Sequence, residues 1–177
     1  IDGVVIRKLK VNRDERGILV ETLKKEWQDV YGKKFPFVQN YFSITKPRVA
    51  RDEDRWHYHP TKQIDRFVVI SGNIVVALYD WRKESKTFGT LNLFKMGQDN
   101  GDNGQYLLLI PKNVLHCFLA VGKSDAAILN YPTTLYDPTE EGRALFAKTK
   151  LADGSYFSWN LVKKHLRGGQ IDSSEVK

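Results

Sequence analysis

Four histidines occur in the 177-residue chain, and three of them are placed where they could do chemistry. His57-Tyr58-His59 sets two imidazoles two positions apart, so on a strand both rings project from one face. His116 comes much later, at the end of Pro111-Lys112-Asn113-Val114-Leu115-His116, where a proline-bounded strand start delivers it. Imidazoles gathered from separate strands can move protons near neutral pH, because the free ring titrates at ~6.5. They can also ligate a divalent ion, with His57, His59 and His116 as the candidate set. Gln63, four residues after His59, would be a poorer ligand than a carboxylate.

The elements that must position these rings read mostly as strands. β-branched and aromatic runs fall at 4–6, 9–11, 18–20, 37–44, 66–70, 73–79, 106–110, 117–121 and 126–131. Turn residues separate them about every ten positions, the rhythm of an antiparallel sandwich or barrel. Ser71-Gly72 reads as a tight hairpin, and the three glycines among Asp and Asn over 97–104 read as a loop. Leu23, Trp27, Val30 and Tyr31 recur at helical spacing, so a short helix is expected over 22–31, ending at Gly32. Helical patterning returns after Pro138, over 140–150 and 159–166, closed by Gly168-Gly169. One all-β domain over 1–177 is expected. Its parts are N-terminal strands with a short helix (1–45), a barrel core (46–137) and a helical appendage (138–177).

Composition narrows the function classes. Hydrophobic residues make up 41% of the chain, enough for a packed core and too many for a disordered one. No run approaches the ~20 apolar residues of a membrane helix, so no membrane partner is expected. Cys117 is the single cysteine, which leaves no intrachain disulfide and points to a reducing, cytoplasmic setting. Ile1-Asp2-Gly3 carries neither the charged nor the apolar run of a signal peptide. Twenty-eight Lys and Arg against 21 Asp and Glu give a net charge of +7, which favours anionic ligands. The basic pairs are scattered, without zinc-finger spacing or an RNA-binding aromatic signature, so nucleic acid is not expected as a partner.

The two histidine sites resemble the two short motifs of the cupin superfamily, small jelly-roll barrels whose metal-binding members carry H-x-H-x3-E and a later histidine. More of the chain resembles one family, the dTDP-4-dehydrorhamnose 3,5-epimerases. The run Asp14-Glu15-Arg16-Gly17-Ile18-Leu19-Val20-Glu21, then Phe37-Val38-Gln39-Asn40, then His57-Tyr58, is similar to its opening half. Gly72 to Arg82, followed by Ser85-Lys86-Thr87-Phe88-Gly89, resembles its G-x-(apolar run)-D-x-R-x-x-S-P-T-F-G stretch. Ile110-Pro111 through His116-Cys117-Phe118 resembles I-P-x-x-x-x-H-G-F, and Asn130 to Pro138 resembles Y-K-x-T-x-x-Y-x-P. The likeness runs in order from about residue 2 to residue 142.

The resemblance implies a cupin-type jelly roll that inverts C3, C5 or both of a dTDP-linked 4-keto-6-deoxyhexose, without metal or cofactor. Hydrogens beside a ketone are acidic enough for a base to remove, and an acid returns a proton to the opposite face. By the resemblance His57 is that base and Tyr131 the acid; a phenol of pKa ~10 can protonate an enolate carbon. His116 then contacts the sugar and Tyr136 stacks on the nucleotide base. Arg16 and Glu21 bind the nucleotide, in swapped homodimers from the partner subunit, and Gln39 lies near the sugar. Arg51 or Arg55 holds the diphosphate through a bidentate fork.

The chain also departs from the family pattern. His59 stands where the family has glutamine in H-Y-Q, and Asp65 stands where it has an oxyanion-stabilising lysine in Q-x-K-L-V. Lys62 is the nearby candidate to substitute. The family's late aspartate that orients the base histidine has no clear match, and Tyr131 and Tyr136 are one residue closer than usual. The alternatives are a sugar 3,4-ketoisomerase, a metal-dependent cupin using His57, His59 and His116, or an inert sugar-nucleotide binder.

Overall fold

The computed structural model describes residues 1–166, side chains at 99, 100 and 163–166 excepted. Its strands are β1 (Val5–Lys8), β2 (Val11–Asp14), β3 (Gly17–Val20), β4 (Tyr41–Thr45), β5 (Ala50–Arg51), β6 (Arg55–Tyr58) and β7 (Asp65–Ser71). They continue with β8 (Asn73–Tyr79), β9 (Leu91–Gly97), β10 (Tyr106–Ile110), β11 (Leu115–Val121), β12 (Ala126–Asn130) and β13 (Gly142–Leu145). One helix, α1 (Trp159–Leu166), follows.

Two antiparallel sheets face each other, as the cupin-type jelly roll requires. The first has the order β1-β10-β7-β12-β4, and the second β13-β6-β11-β8-β9 with β5 added on β11; β2 and β3 form a separate ribbon. Strand parity decides where each side chain goes. Ile74, Val76 and Leu78 point between the sheets to meet Phe67, Val69, Leu108, Ile110 and Ile128. Val75, Ala77 and Tyr79 point outward, against Trp56, Phe146, Leu151 and Phe157. β7 and β8 are therefore covered on both faces, and this is why they read as nearly continuous apolar runs.

Ser71-Gly72 is not a hairpin, because β7 and β8 lie in different sheets and the dipeptide carries the chain from one to the other. Gly72 has φ 69°, and a Cβ there would stand 2.4 Å from the carbonyl oxygen of Asp125, so the crossing needs glycine. The helix expected over 22–31 is absent, although Leu23, Trp27 and Val30 do face the core as their spacing implies. Buried Arg66 holds the end of this segment. Its guanidinium donates to the carbonyls of Val30, Phe35, Pro36 and Tyr131, ligating the segment to the outside of the first sheet as a series of turns.

The appendage differs as well. Among the described residues only α1 is an α-helix; 142–145 is a strand, β13, which pairs with β6 with Arg143 opposite His57 and Gly142 opposite Tyr58. β6 needs a partner on its outer side, and that demand overrides the local helical pattern. The rings of Trp56, Phe146 and Phe157 clamp the segment, with centroids 4.5–5.1 Å apart, each pair contributing ~0.5–1.5 kcal/mol beyond its buried area. Gly168 and Gly169 lie outside the described residues. No helix among the described residues is long and apolar enough to cross a membrane.

Candidate active site

A cleft of about 710 Å³, its open mouth included, lies between the two sheets at one end. His57 and His116 enter it from the second sheet, and Tyr41, Ser43, Asp65 and Asn130 from the first. Arg51, Asp52 and Phe118 also line it. The pairing of β6 with β11 sets His57 directly opposite His116, with ring centroids 4.8 Å apart.

The H-x-H spacing does what strand geometry requires: the rings of His57 and His59 share a face, 4.5 Å apart. Burial, together with the neighbouring imidazoles and Arg143, pushes His57 far below the usual histidine range and so favours the neutral ring. Its Nε2 lies 3.1 Å from Glu141 Oε2, an ion-pair distance without a well-aligned hydrogen bond, and it has no hydrogen-bond partner among the described residues. His116 donates from Nδ1 to the carbonyl of Val114 at 3.0 Å, and burial pulls it down to about 4. Its buried Nε2 also lacks a hydrogen-bond partner among the described residues and stands 3.6 Å from Asp65 Oδ2.

Asp65 forms the floor. Burial works to raise its pKa, but His59 at 3.0 Å, His116, and the amide of Asn130 outweigh it and hold the carboxyl below its usual range. His59 is buried beneath the cavity. Burial lowers its basicity, yet the bond to Asp65 prevails and raises it, while Nδ1 donates to the carbonyl of Glu140. The Glu140 carboxylate accepts the backbone N–H groups of Thr61, Lys62 and Gln63 and the Thr61 hydroxyl. Those bonds hold Glu140 down to about 2 against the upward pull of burial, and they fix the loop that follows His59.

His57, His59 and His116 each offer a ligand atom, all within 4.8 Å of one another. Two of the rings donate Nδ1–H to backbone carbonyls, the orientation that metal-ligating histidines adopt, but the Nε2 of His59 is already taken by Asp65 at 3.0 Å, so among the described residues only His57 and His116 keep an unpaired ring nitrogen for a ligand.

The structure gathers only some of the residues expected from the sequence. His57, His116 and Arg51 line the cleft, with His59 behind them. Of the two competing arginines, Arg51 stands on the cavity wall, held by Thr45 and the carbonyl of Ile44, whereas Arg55 turns to Asp54 at the surface. Tyr131 is not in the cleft. Asn130 and Ile128 take the inward positions of β12 and the strand just after it, so by parity residue 131 points to the outer face, where its hydroxyl bonds Thr22 Oγ1 at 2.6 Å. Arg16 pairs with Asp14 on the β2–β3 ribbon, and Glu21 with Lys24, both away from the cleft of the same chain. Gln39 donates to the carbonyl of Thr134, Lys62 meets Asp137 at 3.7 Å, and Tyr136 is exposed; none lines the cleft.

Three contributors escaped the sequence reading. Glu141 reaches His57 only because β13 exists, and no spacing signal announces that. Tyr41 and Asn130 were legible in principle. With Thr133, Tyr136 and Pro138 set in register, the pattern Y-K-x-T-x-x-Y-x-P puts its first tyrosine on Asn130.

Comparison with known proteins finds sequences and structures similar to this chain. The family model described as dTDP-4-dehydrorhamnose 3,5-epimerase matches residues 1–159. A probable low-salt glycan biosynthesis epimerase, Agl13 of Haloferax volcanii, is 40% identical over 144 residues, 80% of this chain and 86% of that protein. A dTDP-4-dehydrorhamnose 3,5-epimerase of Methanothermobacter thermautotrophicus is 33% identical over 140 residues, 78% of this chain and 71% of its own. The crystal structure of a dTDP sugar isomerase from Desulfovibrio desulfuricans superposes with a TM-score of 0.75 at 28% identity, covering 90% of this chain and 92% of that one.

Proposed function

The chain belongs to the dTDP-4-dehydrorhamnose 3,5-epimerase family, and from that premise we propose that it inverts C3, C5 or both of a dTDP-linked 4-keto-6-deoxyhexose. It is an isomerase acting on carbohydrates. The observation that carries the reading is the imidazole of His57, held in a cleft between two sheets with the Glu141 carboxylate 3.1 Å from its Nε2. His57 removes the hydrogen beside the ketone, and Glu141 at 3.1 Å stabilises the imidazolium that forms. The electron pair moves into the enolate, and a proton returns from the opposite wall. His116 contacts the sugar, and Arg51 meets the diphosphate.

A second copy of the chain completes the site in this reading. Leu19 and Ile18 on the β2–β3 ribbon are exposed, as are Phe42 and Ile44 on the edge strand β4, and a homodimer buries such edges. Arg16 and Glu21 on or beside the ribbon then reach the partner's nucleotide. Cys117, free and buried, suits a cytoplasmic enzyme.

The test is incubation of the purified chain with dTDP-4-keto-6-deoxyglucose in deuterated water, followed by NMR. Deuterium at C3, C5 or both, lost in His57→Ala, is the expected result; bound nucleotide without exchange would leave an inert binder. The three converging imidazoles support a second reading on the same scaffold, a metal-dependent isomerase. Stoichiometric metal in the purified protein would favour it.

A further inference from the structure

With Tyr131 on the outer face, the cleft needs another group to return the proton. We infer that Tyr41, held by Asn130, is the acid that faces His57. This rests on the epimerase reading of the cleft and assigns one of its two proton-transfer roles.

The geometry is specific about which atom carries the mobile proton. Asn130 Oδ1 accepts the backbone N–H of Arg66 at 3.0 Å, which fixes the orientation of its amide. Its Nδ2 therefore donates in two directions, to Asp65 Oδ1 at 3.0 Å and to Tyr41 Oη at 2.8 Å. The phenol oxygen is thus an acceptor in that bond, and its own hydrogen is left for the cavity. Tyr41 and Asn130 are direct cross-strand partners on β4 and β12, both on the inner face. His57 enters from the facing sheet. Base and acid thus come from opposite walls, as removal from one face and return to the other demands.

The environment also keeps the acid loaded. Tyr41 is half-exposed as a residue, but desolvation of its phenol, with the charges of Asp65 and Glu141 adding to it, pushes it up to about 12 despite the opposing bond from Asn130. The register noted above gives Asn130 a further meaning: the pattern's tyrosine falls on it, while the phenol stands on its cross-strand partner. The pair holds one phenol and one amide, exchanged between neighbouring strands.

The step balances without any co-reactant. The C–H bond beside the ketone breaks toward His57, and its electron pair forms the enolate. A new C–H bond forms with the hydrogen of Tyr41 Oη. Water at the open mouth then reprotonates the phenolate and takes the proton from His57.

The experiment follows exchange and inversion separately, by NMR of dTDP-4-keto-6-deoxyglucose in deuterated water. Tyr41→Phe should still wash deuterium into the substrate with retention, since His57 is intact, while inversion falls roughly 10²–10⁴-fold. The exchanged double variant Tyr41→Asn/Asn130→Tyr should recover inversion well above either single variant, which a purely structural role for Tyr41 would not produce. Unaltered thermal unfolding of Tyr41→Phe confirms that its fold is intact. Undiminished inversion in Tyr41→Phe overturns the assignment and leaves the epimerase reading standing. If the unaltered chain neither exchanges nor inverts, that reading fails and takes the assignment with it.

Discussion

Asp80 and Asp65 are both buried carboxylates at the ends of neighbouring core strands, and their surroundings differ in kind. Asp80 accepts from Arg82 Nε at 2.7 Å, from Ser85 Oγ at 2.7 Å, from Thr87 Oγ1 at 2.6 Å and from the backbone of Arg82. Its donors are committed to it, and Arg82 passes the tie on to the carbonyl of Asp2, pinning the N-terminus. Around Asp65 the accounts stay open: the Nε2 atoms of His57 and His116 are buried and lack hydrogen-bond partners among the described residues. A closed network is rigid and chemically idle. An open one keeps side-chain nitrogens unpaired at the wall of the cleft, where a ligand can meet them.

Mutations at the two places should therefore fail in different ways. The largest effect is expected at His57: His57→Ala should lower deuterium exchange roughly 10²–10⁴-fold while thermal unfolding stays put. A loss of stability there with exchange retained would make His57 a structural group and dissolve the contrast. Asp80→Ala should do the reverse. It leaves Arg82, Ser85 and Thr87 without their acceptor and should cost roughly 2–4 kcal/mol of stability, with exchange per folded molecule unchanged.

Acid sharpens the same comparison. The bonds to Asp80 overcome burial and hold its carboxyl below the ordinary 3.8, so its contribution to stability is complete above that value. It is lost as pH falls below 3.8 toward the folded-state value, and Asp80→Asn should flatten that limb of the unfolding profile. At the cleft, Glu141→Gln should slow exchange about tenfold, ~1.4 kcal/mol, with nucleotide affinity kept, since it removes the charge behind His57. Smallest of all, Tyr131→Phe should cost ~1 kcal/mol of stability through its lost bond to Thr22, and exchange should not change.

Much of this was visible before any coordinates. Apolar runs marked the inner strands, and the turn rhythm marked an antiparallel sandwich or barrel. H-x-H placed two rings on one face, and the D-x-R-x-x-S-x-T spacing in Asp80 to Thr87 foreshadowed the closed network. Strands β9 and β13 went unseen, since mixed polarity in Leu91–Gly97 and a helical pattern after Pro138 concealed them.

What the chain's residues determined by themselves is local: which runs become strands, and the two-residue period that pairs His57 with His59. Tertiary structure decided what depends on register and on distant partners. A one-residue offset turns a side chain to the other face of its sheet, so Tyr131 lies outside and Tyr41 inside. Glu141 meets His57 only because β6 had an unpaired edge for β13 to fill.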